Sequence, residues 1–201
     1  MQHAGDKDLL KKLDLIKSAF VSVRNTVRNL IDLNRPGKEK KQPMEVNQVI
    51  ENTVALIRSY LKKNMVNIKL NLAAETPVTN ASPQQIGQVI MNLINNAVDS
   101  IINSPKFHDK IKESQAIGGE ISIDTHNRGE EIIITVKDTG PGISKNDMNN
   151  IFDPFFTRKK TMGMGVGLSI CYGIIEDHKG TIVAKNIADN GAKFTISLPL
   201  K

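Results

Sequence analysis

Apolar residues recur at alternating spacings of four and three through the first part of the chain, from Asp6 to Leu33. This a/d spacing predicts one long helix, whose apolar stripe needs partner helices from a bundle or from a second copy of the chain. The segment 34–37 (Asn-Arg-Pro-Gly) ends the helix, because proline disfavours helical backbone at the residue before it. The Lys/Glu-rich segment 38–42 is predicted to be a linker. The apolar stripe consists of Leu9, Leu13, Ile16, Phe20, Val23, Val27 and Leu30.

A different pattern begins near Pro43, where helical and strand periods follow each other. Asn47 is a predicted N-cap for a helix that ends near Leu61. The segment Val66–Leu72 alternates apolar and polar residues, as a half-buried strand does. The buried side of the helix is predicted to consist of Val49, Ile50, Val54, Ile57 and Leu61.

The strongest start signal for a helix in the chain is the segment 82–85 (Ser-Pro-Gln-Gln). It offers serine as the N-cap, proline at the first helical position and glutamine at the third, and each of these is favoured there. An apolar stripe at helical spacing follows, so we expect a helix that buries one side. The residues predicted to point inward are Ile86, Val89, Ile90, Leu93, Ile94, Ala97, Val98 and Ile101.

Strand pairs dominate the remaining pattern. Segments 120–125 and 131–136 alternate around a turn that contains glycine, and segments 181–185 and 192–198 do the same. The polar stretch 103–119 is predicted to be an exposed insertion. The fold class we expect is α+β: a two-layer α/β sandwich, with a mixed, largely antiparallel sheet that carries helices on one face, preceded by the long N-terminal helix.

Composition narrows the choice of function only modestly. The net charge of +6 is compatible with an anionic partner, but an aromatic fraction of 4% without tryptophan argues against a surface that stacks nucleic-acid bases. No apolar run reaches the length of about 20 residues that a membrane span needs, and no signal peptide is evident. The single cysteine, Cys171, is predicted to be a small core residue, as suits a reducing, cytoplasmic environment.

Two glycine clusters carry the candidate chemistry. The first is the segment 138–143 (Asp-Thr-Gly-Pro-Gly-Ile), and the second is the segment 163–168 (Gly-Met-Gly-Val-Gly-Leu), which precedes an apolar helix. Glycine lets the backbone approach a ligand closely, and the free N–H groups at a helix start attract anions. The second cluster therefore predicts a phosphate site, although a flexible turn explains such a cluster about equally well.

A polar face interrupts the apolar helix that follows Ser82. Asn92, Asn96 and Asp99 are spaced so that they share one side of the helix. Side chains of this kind on a largely buried helix need partners, so they are either satisfied core groups or a face turned to a hydrated Mg²⁺, which prefers oxygen ligands.

Taken together, these blocks resemble the catalytic domain of sensor histidine kinases, within the superfamily that includes gyrase, heat-shock chaperone and mismatch-repair ATPases. The N box matches residues 88–97, the first glycine box 138–142, the F box 152–156 and the second glycine box 163–168, all in the family's order. The resemblance covers roughly residues 43–201, as an ATP-binding domain. It extends to residues 1–37, which look like the second helix of a dimerisation and phosphoacceptor hairpin.

The resemblance implies roles for individual residues. Asn96 would ligate Mg²⁺ with support from Asn92, and Asp138 would accept a hydrogen bond from the adenine amine. Arg158 or Lys159, in a lid, would reach the β- and γ-phosphates of ATP. The full implied nucleotide-contact set is Asn96, Asp99, Asp138, Gly140, Gly142, Ile143, Phe156, Thr157, Arg158, Lys159, Gly163, Gly165, Val166, Gly167, Leu168 and Thr195, with Asn92, Asn96 and Lys159 as catalytic residues.

The chain departs from the family pattern in two places. Hydrolytic members of the superfamily carry a glutamate in the N box, whereas this chain has Asn92 four residues before Asn96, which favours phosphoryl transfer over hydrolysis. None of its four histidines has the surroundings of a phosphoacceptor, so the acceptor is expected on a helix outside this chain.

The expected partners are therefore ATP, that phosphoacceptor helix, a response regulator and a second copy that dimerises through the hairpin, with no nucleic acid. A gyrase-like ATPase and a non-catalytic, nucleotide-regulated interaction module remain the alternatives.

Overall fold

The structure is a computed structural model that describes residues 40–75, 78–105, 107, 109, 118–157, 165–188 and 191–201. The predicted N-terminal helix, Asp6 to Leu33, lies outside the described residues, as do the first two residues of the predicted linker. The described residues therefore belong almost entirely to the predicted ATP-binding domain.

Three helices and seven strands are formed by the described residues. The helices are α1 (Val46–Lys63), α2 (Pro83–Ile102) and α3 (Gly167–Asp177). The strands are β1 (Gln42–Glu45), β2 (Val66–Leu72), β3 (Val78–Ala81), β4 (Gly119–Arg128), β5 (Glu131–Asp138), β6 (Thr181–Asn186) and β7 (Ala192–Pro199).

Five strands form the main sheet, in the order β2-β4-β5-β7-β6. Only β2 and β4 pair in parallel, and the other neighbours are antiparallel, so both predicted hairpins are confirmed. Alternate residues of β7, such as Phe194 and Ile196, are buried in the same core as the apolar sides of the helices. This mixed, largely antiparallel sheet under helices confirms the expected two-layer fold.

Helix α2 is the centre of the helical layer. The hydroxyl of Ser82 accepts a hydrogen bond from the Gln85 backbone N–H, and Pro83 is the first helical residue, so the predicted start is confirmed. All eight residues predicted to point inward are buried. Burial of a large aliphatic side chain contributes about 1.5–3 kcal/mol to the free energy of unfolding. The buried face therefore anchors the helix and determines which side of it can face a ligand.

Helices α2 and α3 are tied together at both ends of their contact. His178, which follows α3 and is 4% exposed, accepts a hydrogen bond at Nε2 from the Ser82 backbone N–H and contacts the Ile174 carbonyl oxygen through Nδ1. At the other end, Asn92 of α2 bonds to Gly167, the first residue of α3. The two helices therefore run antiparallel, and the start of α3 lies beside the middle of α2.

The first part of the domain differs from the sequence analysis in two details. Strands β1 and β3 were not predicted, and they pair with each other as a separate two-stranded sheet. Asn47 is not the N-cap of α1, because the helix already begins at Val46, with Glu45 as the cap. Instead, the Asn47 side chain accepts a hydrogen bond from the Thr125 hydroxyl and joins α1 to the parallel strands.

The predicted exposed insertion, 103–119, is partly integrated into the fold. Ser104 and Phe107 are buried, and a Cβ at Gly118 would clash with the Phe107 ring. Gly119 is already the first residue of β4. The prediction of an exposed segment was therefore wrong for these residues, because one aromatic side chain anchors the stretch to the core.

Candidate functional site

Asp138, the last residue of β5, is a buried carboxylate that organises the loop after it. Its Oδ1 accepts hydrogen bonds from the backbone N–H groups of Gly140, at 2.8 Å, and Ala192, at 3.4 Å. Burial raises the pKa of the carboxyl above its usual value, and the two N–H groups oppose that rise. Among the described residues, none is bonded to the second oxygen, Oδ2. One carboxylate oxygen thus holds the loop and leaves the other for a ligand.

The loop after Asp138 follows a path that its glycines permit. Gly142 has a φ of +81°, which favours glycine. A Cβ at Gly140 would clash with the Ser100 hydroxyl of α2, and one at Gly142 would lie 2.9 Å from the Asn186 Oδ1. The backbone of this loop is therefore packed against α2 on one side and against the end of β6 on the other.

Ile143, at the end of the same loop, is held through its backbone. Asn186 Oδ1 accepts a hydrogen bond from the Ile143 N–H and Asn186 Nδ2 donates to the Ile143 carbonyl oxygen, each at 2.7 Å. The Ile143 side chain is half-buried and packs against the core. One asparagine therefore fixes both backbone polar groups of this residue.

The polar face of α2 divides into a tethered and an open part. Asn92, Asn96 and Asp99 are all half-buried. The Asn92 amide donates to the Gly167 carbonyl oxygen at 3.3 Å, whereas the Asn96 side chain has no hydrogen-bond partner among the residues that the structure describes. Asp99 lies close to Tyr60 of α1, where its charge adds to burial in raising the pKa of the Tyr60 hydroxyl.

At the start of α3, the backbone N–H groups of residues 167–169 have no hydrogen-bond partner among the residues that the structure describes. Its N-cap, Val166, makes no side-chain capping hydrogen bond, and the Ser169 hydroxyl instead donates back to the Val166 carbonyl oxygen. No acidic residue stands in the first turn. The N–H groups of residues 167–169 are therefore open to an anion, and the helix dipole favours one there.

The residues just before α3 are packed against the F box. Gly165 has a φ of +69°, and a Cβ at this position would clash with the carbonyl oxygen of Phe156. Phe155 also has a positive φ, +68°, although its side chain is 64% exposed. A bulky residue in this backbone region is rare and strained. The two flanks of segment 158–164 therefore meet through close backbone contact.

These contacts define one continuous site along α2. The helix touches the first glycine loop at Ser100 and the start of α3 at Asn92. Those two residues are eight positions apart, which is about 12 Å along a helix at 1.5 Å per residue. Asn96 and Asp99 lie between them on the same face.

Most of the residues implied by the family resemblance are brought together by this geometry. Asn92, Asn96, Asp99, Asp138, Gly140, Gly142 and Ile143 belong to α2 or to the loop beside it, and Gly165, Val166, Gly167 and Leu168 form the start of α3. Phe156 packs against the core next to Gly165, and Thr157 follows it as an exposed residue. Arg158, Lys159 and Gly163 lie outside the described residues.

Thr195 is not brought to the site. It alternates with Phe194 and Ile196, which are buried on the helix side of β7, so its side chain lies on the other face of the sheet. Its cross-strand neighbours there are Thr135 and Val183.

Sequence reasoning missed Asn186 and Ser100. Asn186 lies at the end of an edge strand, far along the chain from the glycine loop that it contacts. No local pattern marks such a contact; the nearest signal was the turn that follows β6. Ser100 directly follows Asp99, but no spacing rule singles it out as a neighbour of Gly140.

Two further reactive side chains, Cys171 and His178, are buried within the fold. Cys171 is fully buried, and burial raises the pKa of its thiol to about 12, in agreement with the predicted core role. His178 uses both ring nitrogens within the fold. No helix of the described residues combines the length and the apolar character that a membrane span requires.

Comparison with known proteins gives a consistent result. Residues 81–201 match the family model described as histidine kinase-, DNA gyrase B- and HSP90-like ATPase. The chain is 30% identical over 179 residues to the sensor histidine kinase ZraS of Salmonella typhimurium, covering 89% of this chain and 35% of the relative. It is 28% identical over 198 residues to the sensor protein TdiS of Thauera aromatica, covering 98% of this chain and 34% of the relative. The chain thus spans about a third of the length of these curated relatives.

Solved structures agree with the sequence relatives. The catalytic domain of histidine kinase ThkA superposes with a TM-score of 0.67 at 28% identity, covering 80% of this chain and 95% of that one. A structure of ThkA in complex with the response regulator protein TrrA gives a TM-score of 0.71 at 25% identity, covering 95% of this chain and 51% of that one. The family match includes α2, both glycine segments and the main sheet from β4 onward. The chain belongs to the family of histidine kinase-, DNA gyrase B- and HSP90-like ATPases.

Proposed function

We propose that the chain binds Mg-ATP along α2 and, within a longer sensor histidine kinase, transfers the γ-phosphoryl group to a histidine on a helix outside this chain. The observation that carries the proposal is the double contact of α2, with the Asp138 loop at one end and the start of α3 at the other. The separation of about 12 Å suits a nucleotide whose base and phosphates lie at opposite ends.

Base recognition is assigned to the Asp138 end. Adenine presents an exocyclic amine that donates hydrogen bonds, whereas guanine presents a carbonyl oxygen at the same place. The Oδ2 of Asp138, which is not bonded to any described residue, is an acceptor, since Oδ1 is held by two backbone N–H groups. An acceptor in a buried, fixed position therefore favours adenine over guanine.

Phosphate and metal binding are assigned to the Gly167 end. The N–H groups of residues 167–169 suit phosphate oxygens. The amide oxygen of Asn96, which has no partner among the described residues, is a hard ligand of the kind that Mg²⁺ takes. The hydrogen bond from Asn92 to Gly167 would hold α2 and the start of α3 in a fixed relative position. The metal would neutralise charge on the β- and γ-phosphates, with Arg158 or Lys159 as an additional cation.

Transfer is favoured over hydrolysis by the side chains of α2. The face between Asn92 and Ser100 carries amides and Asp99, and Asn92 stands four residues before Asn96, where a hydrolytic enzyme of this superfamily has a glutamate. An amide cannot accept a proton from water at neutral pH. In the proposed reaction, a ring nitrogen of the acceptor histidine attacks the γ-phosphorus, the bond to the bridging oxygen breaks, and ADP leaves.

The partners follow from the relatives. Curated relatives are named sensor kinases, and one structural neighbour is a kinase bound to a response regulator. We therefore infer a cytoplasmic module that works on a phosphoacceptor hairpin, with a second copy joined through that hairpin and a response regulator as the final acceptor.

The proposal is tested by mixing the chain with γ-labelled ATP, Mg²⁺ and a separately expressed hairpin that carries an acceptor histidine. Label on the hairpin, lost with the Asn96→Ala variant, is the expected result. Steady release of inorganic phosphate without label on the hairpin would support a gyrase-like ATPase instead. ATP binding with neither transfer nor hydrolysis would point to a nucleotide-regulated interaction module.

A further inference from the structure

We propose that Asn186 is a positioning residue for nucleotide binding: its side-chain amide fixes the backbone of the loop 139–143, which forms the wall at the purine end. This role rests on the proposed function. It concerns a residue outside every motif that the sequence suggested, and it predicts which step of the reaction depends on that residue.

The contact is a two-point clamp. Asn186 Oδ1 accepts from the Ile143 N–H and Nδ2 donates to the Ile143 carbonyl oxygen, both at 2.7 Å. An amide side chain that uses both its acceptor and its donor on one residue reproduces the hydrogen bonds of a strand partner. The loop 139–143 has no strand or helix of its own, so this side chain supplies the pairing that a sheet neighbour would otherwise give.

Gly142 leaves the space that the contact between Asn186 and Ile143 requires. The space between Gly142 and the Asn186 Oδ1 is so small that a Cβ would lie 2.9 Å from that oxygen. The positive φ of Gly142, +81°, turns the chain so that Ile143 faces Asn186. The glycine and the asparagine therefore form one unit, although 44 positions separate them in the sequence.

The same turn also supports Asp138. Asn186 pairs with Ala192 across β6 and β7, and the Ala192 N–H donates to Asp138 Oδ1. Gly191 packs so tightly against Asp138 that a Cβ there would clash with the Asp138 carbonyl oxygen. The end of the β6–β7 hairpin therefore holds both the base-selecting carboxylate and the far end of the loop.

The position of Asn186 determines which step of the reaction depends on it. Asn186 is exposed and contacts the loop at the proposed purine end, whereas the phosphates are proposed to lie at the start of α3. Its loss would free the wall that contacts the base and the adjoining sugar, and it would leave Asn96 and the start of α3 unchanged. The affinities for ATP and for ADP should therefore fall by the same factor, while the transfer rate at saturating ATP should stay the same.

The test compares Asn186→Ala and Asn186→Asp with a matched control, Asn71→Ala, which removes an exposed asparagine from the edge strand β2. Asn186→Ala deletes both hydrogen bonds. Asn186→Asp keeps the acceptor for the Ile143 N–H but turns an oxygen towards the Ile143 carbonyl oxygen. Thermal melts first establish the temperature range in which each variant is folded, and titrations with Mg-ATP and Mg-ADP are carried out within it.

We expect both Asn186 variants to bind ATP and ADP about tenfold more weakly, by the loss of one to two hydrogen bonds, with an unchanged ratio between the two nucleotides. The Ile143 amide should exchange its hydrogen faster in Asn186→Ala, which removes its acceptor, and Asn71→Ala should match the wild type. A folded Asn186→Ala that binds both nucleotides like the wild type, with only a lower melting temperature, would overturn the role and leave the proposed function standing. A wild-type chain that binds neither nucleotide would overturn both.

Discussion

At the Asp138 end of the site, the wall is held by hydrogen bonds within the fold, whereas at the Gly167 end several donors and acceptors are without partners among the described residues. Asp138 and Asn186 each bond to two backbone groups. By contrast, Asn96 and the first N–H groups of α3 are open. A preformed wall loses little conformational entropy when a ligand binds. Polar groups without partners, by contrast, become hydrogen-bonded only when the ligand is present. Base selectivity should therefore depend on the first end and metal dependence on the second.

The largest effect is expected from Asn96→Ala. Removal of the amide oxygen should weaken Mg-dependent ATP binding by roughly 100-fold, the upper part of the range seen when a group that supports a metal site is lost. The measurement is a titration with ATP at saturating Mg²⁺. Asn96→Asp is the control, because it keeps an oxygen ligand. Unchanged ATP affinity of Asn96→Ala in the presence of Mg²⁺ would remove the metal role from this residue.

Asp138→Asn should change base preference with little harm to the fold. The backbone N–H groups of Gly140 and Ala192 hold Oδ1, so the new amide nitrogen should take the place of Oδ2 and donate to the base. A hydrogen bond that involves a charged group contributes about 1.5–3 kcal/mol, so ATP binding should fall by roughly 10- to 100-fold and GTP binding should gain. Competition titrations with ATP and GTP measure the ratio, and an intact preference for ATP would refute the contact.

The same substitution has a pH signature. The folded-state pKa of Asp138 is raised by burial, so the folded state binds its proton more tightly than the unfolded state. Wild-type stability is therefore lost as pH rises from the unfolded pKa through the raised folded pKa. The neutral asparagine avoids this loss. The melting temperature of Asp138→Asn minus that of the wild type should be larger at pH 7 than at pH 4. A difference that does not change with pH would contradict the buried charge.

Gly165→Ala should damage the phosphate end through the backbone. The residue has a positive φ, and the added Cβ would clash with the carbonyl oxygen of Phe156. The positive φ alone costs about 1–2 kcal/mol for a residue with a Cβ. We expect a lower melting temperature together with weaker binding of triphosphate, while Asp138-dependent base preference is kept. Equal loss of both properties would show that the two ends are not separable.

Gly173→Ala gives the smallest expected effect, with the opposite sign. Gly173 lies in the middle of α3, and a Cβ added to it would have no atom of the described residues beyond its own helical turn within 4 Å. Alanine favours a helix over glycine by about 0.5–1 kcal/mol. The melting temperature should therefore rise by a few degrees at most, with unchanged ATP affinity. A fall would indicate that the outer side of α3 is covered in the folded chain.

Sequence patterns predicted the elements whose signals are local. Ser82, Pro83 and the stripe behind them identified α2 and its buried face, since capping and helical period act within a few residues. The turn between β4 and β5 identified a hairpin for the same reason. The polar face of α2 was also visible, because an interruption of an apolar stripe is a local event.

Features that depend on distant pairing were not predictable in this way. Strands β1 and β3 are four residues each and pair only with each other, so neither carries a strong pattern alone. The clamp from Asn186 to Ile143 joins segments 43 positions apart, and an asparagine at a strand end is common on surfaces for other reasons. The different partners of Asn92 and Asn96 are likewise invisible in the sequence, where both are amides on one face.

The central claim is that two dissimilar ends close around one Mg-ATP, and calorimetric titration of the chain with ATP, in Mg²⁺ and again with the metal chelated, tests it most directly. We predict saturable binding of ATP in Mg²⁺ and a clear loss of affinity when the metal is removed. Absence of binding in Mg²⁺, or the same affinity with and without the metal, would contradict the claim.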